Sequence, residues 1–209
     1  MKNVLFSNIS WEKVKYIGFD MDGTLYDEYE FVIQPYKKIS KLFFNDKQVF
    51  FFLSNRWLEK GSSYNKIFGE AYKNFNEKLK DSISEEDFIN QCLDIYRNFE
   101  PKLKLSQRTI SLLDLFKLEY EIFLISDGNQ NLQKKKFYAL KLDNFFKMEN
   151  VIFTGINPEK YSKPKTNSLE LLPNIIENAV FFGDRIVDEQ FAKNSNKKKK
   201  KVYNMIGVF

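Results

Sequence analysis

Tyr16-Ile17-Gly18-Phe19-Asp20-Met21-Asp22-Gly23-Thr24-Leu25 is the stretch that decides the fold. Its first four residues lack the length of a helix. They are apolar or small at successive positions, without alternation, which predicts a strand buried on both faces of a parallel sheet. Two carboxylates and a glycine follow at once. In open α/β sheets ligands bind beyond the carboxyl ends of the strands, so this acidic pair occupies a position suited to chemistry.

Three further runs end the same way. Glu121-Ile122-Phe123-Leu124-Ile125 stops at Ser126, Val151-Ile152-Phe153 stops at Thr154-Gly155, and Ala179-Val180-Phe181-Phe182 stops at Gly183-Asp184. Helical patterns lie between them: Ser106 to Leu118, Asn131 to Leu142, and Asn167 to Ile176. Strand–helix alternation predicts an α/β fold, a three-layer Rossmann-like core with a parallel sheet. The stretch that follows the first strand differs. It reads as helices over Glu30 to Phe44, Trp57 to Lys80 (interrupted near Gly61) and Ser84 to Phe99, the last opened by a serine cap and three acidic residues. We therefore expect a core of residues 1–27 and 104–209, and a helical cap of residues 28–103 inserted after the first strand.

Composition removes several chemistries. The 209 residues contain no histidine, so serine–histidine catalysis and histidine metal ligands are excluded. The single cysteine, Cys92, excludes an internal disulfide and lies on the apolar stripe of a predicted helix. Abundant Phe, Lys and Asn read as a drift toward A/T-rich codons. Met1 to Trp11 has no apolar stretch after a basic start, and Val49 to Leu53 is far too short to span a bilayer, so a cytoplasmic location away from membranes is expected. The formal charge is +5, but Lys197 to Lys201 account for it and the remainder is balanced. With no aromatics among those lysines, the run reads as a solvated loop, and no nucleic-acid partner is expected.

The reactive residues gather at strand ends: Asp20 and Asp22 after the first, Ser126 after the second, Asp184 and Asp188 after the fourth, with Lys163 in the connection beyond Thr154-Gly155. Three or four carboxylates in one crevice cannot all ionise without a cation. A hard divalent ion, Mg²⁺, meets that need with oxygen ligands and retained waters. One lysine and one hydroxyl add donors. Such a set suits a phosphoryl group, whose transfer depends on positioning and charge neutralisation.

Asp20-Met21-Asp22-Gly23-Thr24-Leu25 resembles the first motif of the haloacid dehalogenase-like superfamily. Ser126-Asp127-Gly128-Asn129 is similar to its second, Lys163-Pro164 to its third, and Gly183-Asp184-Arg185-Ile186-Val187-Asp188 to its fourth. The resemblance implies that Asp20 attacks phosphorus, forming an aspartyl-phosphate, and that Asp22 is the acid–base partner. It implies that Asp20, the Asp22 backbone carbonyl, Asp184 and Asp188 hold Mg²⁺. Ser126, Lys163, Gly23 and Asp127 would surround the phosphate. Asp22 favours phosphate ester hydrolysis, because dehalogenating and phosphonate-cleaving members lack an acid–base Asp at that position. Phosphomutases share the Asp pair and remain an alternative. The inserted cap implies a small phosphorylated metabolite as substrate.

Rival assignments are open to test. Phe50-Phe51-Phe52-Leu53-Ser54-Asn55 also looks like a strand ending in a second motif, but the succession after Ser126 fits better, and Val49 to Lys60 is read as a cap helix. Lys160 and Lys165 flank Lys163, and the Lys-Pro dipeptide selects Lys163. Trp57 and Trp11 are read as packing residues, and Arg56 and Lys60 as a solvated face. A non-catalytic module would have no need of all six reactive side chains.

Overall fold

The computed structural model describes residues 9–174, 176–197 and 202–206. The chain divides into two compact units, one made of Met1–Asp27 with Leu103–Phe209, the other of Glu28–Lys102.

The first unit is built on five parallel strands: β1 (Tyr16–Phe19), β2 (Glu121–Ser126), β3 (Val151–Phe153), β4 (Ala179–Gly183) and β5 (Val202–Ile206). Their order is β3-β2-β1-β4-β5, which puts β1 at the centre. Period-two alternation sends Phe181 and Phe182 to opposite faces, and each face has its own apolar layer. On one, Phe123, Ile125 and Phe181 pack with Leu169, Leu172 and Phe191. On the other, the Phe19 ring lies 5.4 Å from Phe182 and 6.0 Å from Phe146, and Phe116 lies 5.8 Å from Phe182. Gly18 pairs with Phe123 on one side and Phe181 on the other. Their rings fill the space a side chain would need, since a Cβ on Gly18 would fall 2.3 Å from Phe123 and 2.6 Å from Phe181. This is an α/β, Rossmann-like core. The strand order reverses direction between β1 and β4, and such a switch point opens a crevice at the carboxyl ends.

The second unit is helical and follows β1 in the chain: α1 (Glu28–Ile39), α2 (Lys47–Lys60), α3 (Ile67–Phe75) and α4 (Glu85–Arg97). The stretch read as one helix to Phe44 is α1 followed by a π turn over Ser40–Phe44, which left-handed Asn45 closes. The interruption expected near Gly61 falls there: Gly61 (φ 78°) ends α2, and α3 begins at Ile67. Phe50 to Ser54 is helical within α2, so the strand alternative for this segment is set aside. Side-chain caps at Asp46 and Ser84 accept from Gln48 N and Asp87 N. The Phe88 ring, fully buried, sits 5.1 to 5.6 Å from Phe43, Phe44 and Tyr72. Cys92 is wholly buried one turn on, and burial raises its thiol pKa, leaving an inert packing group. Arg56 is held by Glu70 at 2.6 Å and Glu59 at 2.9 Å.

The first unit carries α5 (Gln107–Glu119), α6 (Gln130–Ala139), the short α7 (Pro158–Tyr161) and α8 (Ile186–Lys197). Ser106 and Asn129 cap α5 and α6 through their side chains. The helix expected over Asn167 to Ile176 is instead a 3-10 turn, Asn167–Leu171; Pro173 has no N–H with which to extend it. Trp11 packs on α5, its ring 6.3 Å from Phe116 and 6.0 Å from Tyr120. Residues 198–201 of the lysine run lie outside the described residues. Among the described residues no helix is long and apolar enough to cross a membrane.

Candidate active site

Asp20 is the first residue past β1, and its N–H donates to the Phe182 carbonyl at 2.8 Å, which ties it to β4. Asp184 and Asp188 follow β4, the latter in the first turn of α8. One oxygen of each of the three carboxylates lies within 4.8 Å of the others. Asp20 and Asp188 are almost wholly buried and Asp184 is half-buried. Lys163 Nζ bridges two of them, 2.5 Å from Asp20 Oδ1 and 2.5 Å from Asp188 Oδ1. Asp188 is further fixed by the Arg185 N–H, which donates to its Oδ2 at 3.1 Å.

These burials set the charges. Desolvation pushes the Asp20 carboxyl up to about 7; Lys163 opposes this and Asp188 adds to it. Desolvation raises Asp184 too, with Arg185 opposing and Asp188 adding. For Lys163, burial alone would pull the ammonium down, but Asp20, Asp188 and Asp127 hold it above its usual value. The cluster is short of positive charge. Asp20 Oδ2, buried, has no hydrogen-bond partner among the described residues. An all-oxygen donor set, an unpaired carboxylate oxygen and carboxyls raised by their own burial fit a hard divalent cation such as Mg²⁺.

Asp22 behaves differently. Its side chain stays out of the three-carboxylate cluster and turns toward α6 and Tyr26. Lys136 Nζ lies 2.9 Å from Oδ1, Gln133 Nε2 donates to Oδ2 at 2.8 Å, and the Tyr26 hydroxyl donates to Oδ1. Burial alone would raise this carboxyl, yet Lys136, Tyr26 and Gln133 together hold it below the ordinary carboxylate value. Among the groups expected around a phosphate, Ser126 Oγ is buried at the end of β2 and without a partner among the described residues, free to meet a ligand oxygen.

Two of the residues expected around a phosphate also make structural contacts here. Asp127 Oδ1 accepts from the Thr154 hydroxyl at 2.7 Å and from Lys163 N–H at 3.3 Å. A carboxylate would repel phosphate oxygens, and this side chain braces the Lys163 segment. Gly23 (φ 77°) leaves room for a carboxylate, because a Cβ there would fall 2.2 Å from Asp184 Oδ2. Reading by motif missed Lys136, Gln133 and Tyr26. Lys136 looks like part of the solvated triplet Lys134-Lys135-Lys136, but it shares the helical phase of Leu132 and Leu140, and that phase was the available signal.

Comparison with known proteins places the chain in a family. The model of the haloacid dehalogenase-like hydrolases matches residues 17–199, and the chain belongs to that family. A candidate beta-phosphoglucomutase from Thermotoga maritima is similar in structure at 19% identity and a TM-score of 0.66, covering 94% of this chain and 87% of that one. The candidate HAD-hydrolase YfnB of Bacillus subtilis, bound to magnesium, matches at 14% identity and 0.59, over 91% and 85%. A candidate phosphoglycolate phosphatase from Lactobacillus plantarum matches at 18% and 0.55, over 93% and 86%. At these identities the likeness is one of fold. The search of curated proteins gives no match. The chain is thus a haloacid dehalogenase-like hydrolase with a Rossmann-like core, its buried acidic cluster compatible with a bound metal.

Proposed function

We propose that the protein hydrolyses a small phosphate monoester in a Mg²⁺-dependent reaction through an aspartyl-phosphate on Asp20. The observation that carries this reading is the pairing of Lys163 with both Asp20 and Asp188 beside Asp184, a buried site rich in carboxylates and built around the Lys163 ammonium. Asp20, Asp184 and the Asp22 backbone carbonyl would hold Mg²⁺, with Asp188 as ligand or as support. When bound, the ion supplies charge neutralisation for the phosphoryl group and lowers the cost of ionising Asp20.

An Asp20 oxygen forms a bond to phosphorus as the ester P–O bond breaks, and the alcohol leaves with a proton from Asp22. Asp22 must take up that proton when substrate binds, because Lys136, Tyr26 and Gln133 favour its ionised form in the free protein. Water then attacks the phosphorus of the aspartyl-phosphate, Asp22 takes its proton, and inorganic phosphate departs with Asp20 restored. Lys163 Nζ and Ser126 Oγ hold phosphoryl oxygens throughout, while the Asp127 carboxylate keeps the Lys163 backbone in place. We assign selectivity to the Glu28–Lys102 unit, and the substrate to the small phosphorylated metabolites.

Hydrolysis of 4-nitrophenyl phosphate with and without Mg²⁺ tests the reading. Activity should require the ion and fall by about 10³-fold or more in Asp20→Asn, the loss of a nucleophile. Turnover that persists without metal, or in Asp20→Asn, overturns the mechanism. The same Asp pair would serve a phosphomutase. A sugar phosphate whose phosphoryl group moves to another hydroxyl, with no release of phosphate, would select that alternative.

A further inference from the structure

One buried lysine and one buried amide do not belong to the metal-type cluster. Lys136 is 2% exposed and Gln133 5%, and both project from α6 onto Asp22. The neighbouring Lys134 is exposed and Lys135 half-buried, so burial singles out one lysine of three. The helix phase explains which one. Asn129 caps α6 and fixes its start, after which Leu132, Gln133, Lys136, Phe137 and Leu140 all face inward.

Stability is a poor reason to bury this pair. Taking an ammonium and a carboxylate out of water costs several kcal/mol each, and apolar side chains of similar size commonly pack as well or better. What the pair provides is direction. Lys136 and the Tyr26 hydroxyl contact Asp22 Oδ1 while Gln133 donates to Oδ2, so donors meet both oxygens of the carboxylate. Gln133 Nε2 also donates to the Asp127 carbonyl at 2.6 Å, directly after Ser126. One amide thereby links the loop after β1 to the loop after β2. The backbone leaves room for that amide, because Gly128 (φ 118°) has no side chain and a Cβ there would fall 2.7 Å from Gln133 Nε2.

We propose that Lys136 and Gln133 are positioning residues for the reaction, holding the Asp22 carboxyl in the orientation from which it exchanges protons with the leaving oxygen. The inference rests on the reading of Asp22 as acid–base partner. Neither residue touches the phosphoryl group. Each acts through Asp22 by restricting its side-chain torsions, and a reacting group displaced by about 1 Å can lose on the order of 10²-fold in rate.

The test compares phenyl phosphate with 4-nitrophenyl phosphate, using the full chain with Mg²⁺. Phenolate is the poorer leaving group and depends more on protonation. In Lys136→Met, kcat/KM for phenyl phosphate should fall by about 10- to 100-fold and that for 4-nitrophenyl phosphate by clearly less, with the Mg²⁺ concentration for half-maximal activity unchanged. Gln133→Leu, which removes a neutral donor and leaves the ion pair, should show the same leaving-group bias with a smaller loss, and it carries the test if Lys136→Met does not fold. In an Asp22→Asn background neither change should add a further loss, since the effect runs through that carboxyl. Equal losses on both substrates, or losses that multiply with that of Asp22→Asn, overturn the proposal. If Asp22→Asn itself shows no leaving-group bias, the acid–base reading of Asp22 fails, a result distinct from failure of the clamp alone.

Discussion

Asp20 shows how a single side chain can be set against its own fold. Its carboxyl is pushed from 3.8 to about 7 by burial, so between those pH values the folded, metal-free protein holds a proton that the unfolded chain has released. Stability from this group is full below pH 4 and is lost as pH rises through 7. Asp22, held below its usual value, has the opposite sign and acts at lower pH, outside that window. Thermal melts in EDTA should show Asp20→Asn gaining on the parent protein as pH increases from 4.5 to 7.5; parallel curves would refute the assignment. Asp127 offers a second test. An amide oxygen can still accept from Thr154 and from Lys163 N–H, so Asp127→Asn should retain hydrolysis to within about threefold, whereas Asp127→Ala, which leaves those donors unpaired, should lose about tenfold or more.

At the scale of elements, the central strand is defined by what it lacks. Gly18 has Phe123 on one side and Phe181 on the other, and both rings occupy its missing side-chain volume. Gly18→Ala should destabilise by about 1–3 kcal/mol through overpacking, measured as a lower urea midpoint with unchanged slope. The strands were legible because successive apolar residues ending in Asp, Ser or Gly have few other readings. The helical unit was legible as helical, and Gly61 marked one of its breaks, but the π turn at Ser40–Phe44 was not legible because it leaves the hydrophobic pattern nearly intact. The Asn167 to Ile176 segment misled for a related reason: Leu169, Leu172 and Ile176 keep a helical spacing across Pro173. In the candidate site, motif residues at strand ends could be named from sequence, whereas partners such as Gln133 and Lys136 needed the path of α6 to bring them onto Asp22.

For the molecule as a whole, metal and protons should compete for the same carboxylates. Asp20 and Asp184 are both raised by burial, so binding Mg²⁺ should release protons, and the ion should stabilise the protein more at pH 8 than at pH 6. At a concentration 100 times its dissociation constant the ion should add about 2.7 kcal/mol, visible as an upward shift in melting temperature. The shift should shrink in Asp184→Ala, and one that does not vary with pH would count against these ligands.

The strand order has a consequence for biosynthesis. Tyr16 pairs with Glu121 on one side and Ala179 on the other, so β1 leaves the ribosome long before either neighbour exists. At about 5–20 residues per second, several seconds to tens of seconds of translation separate β1 from its second partner. The Glu28–Lys102 unit draws only on contiguous chain and can fold in that interval. During the same time Phe19 and Met21, buried in the finished fold, have no sheet partner to cover them.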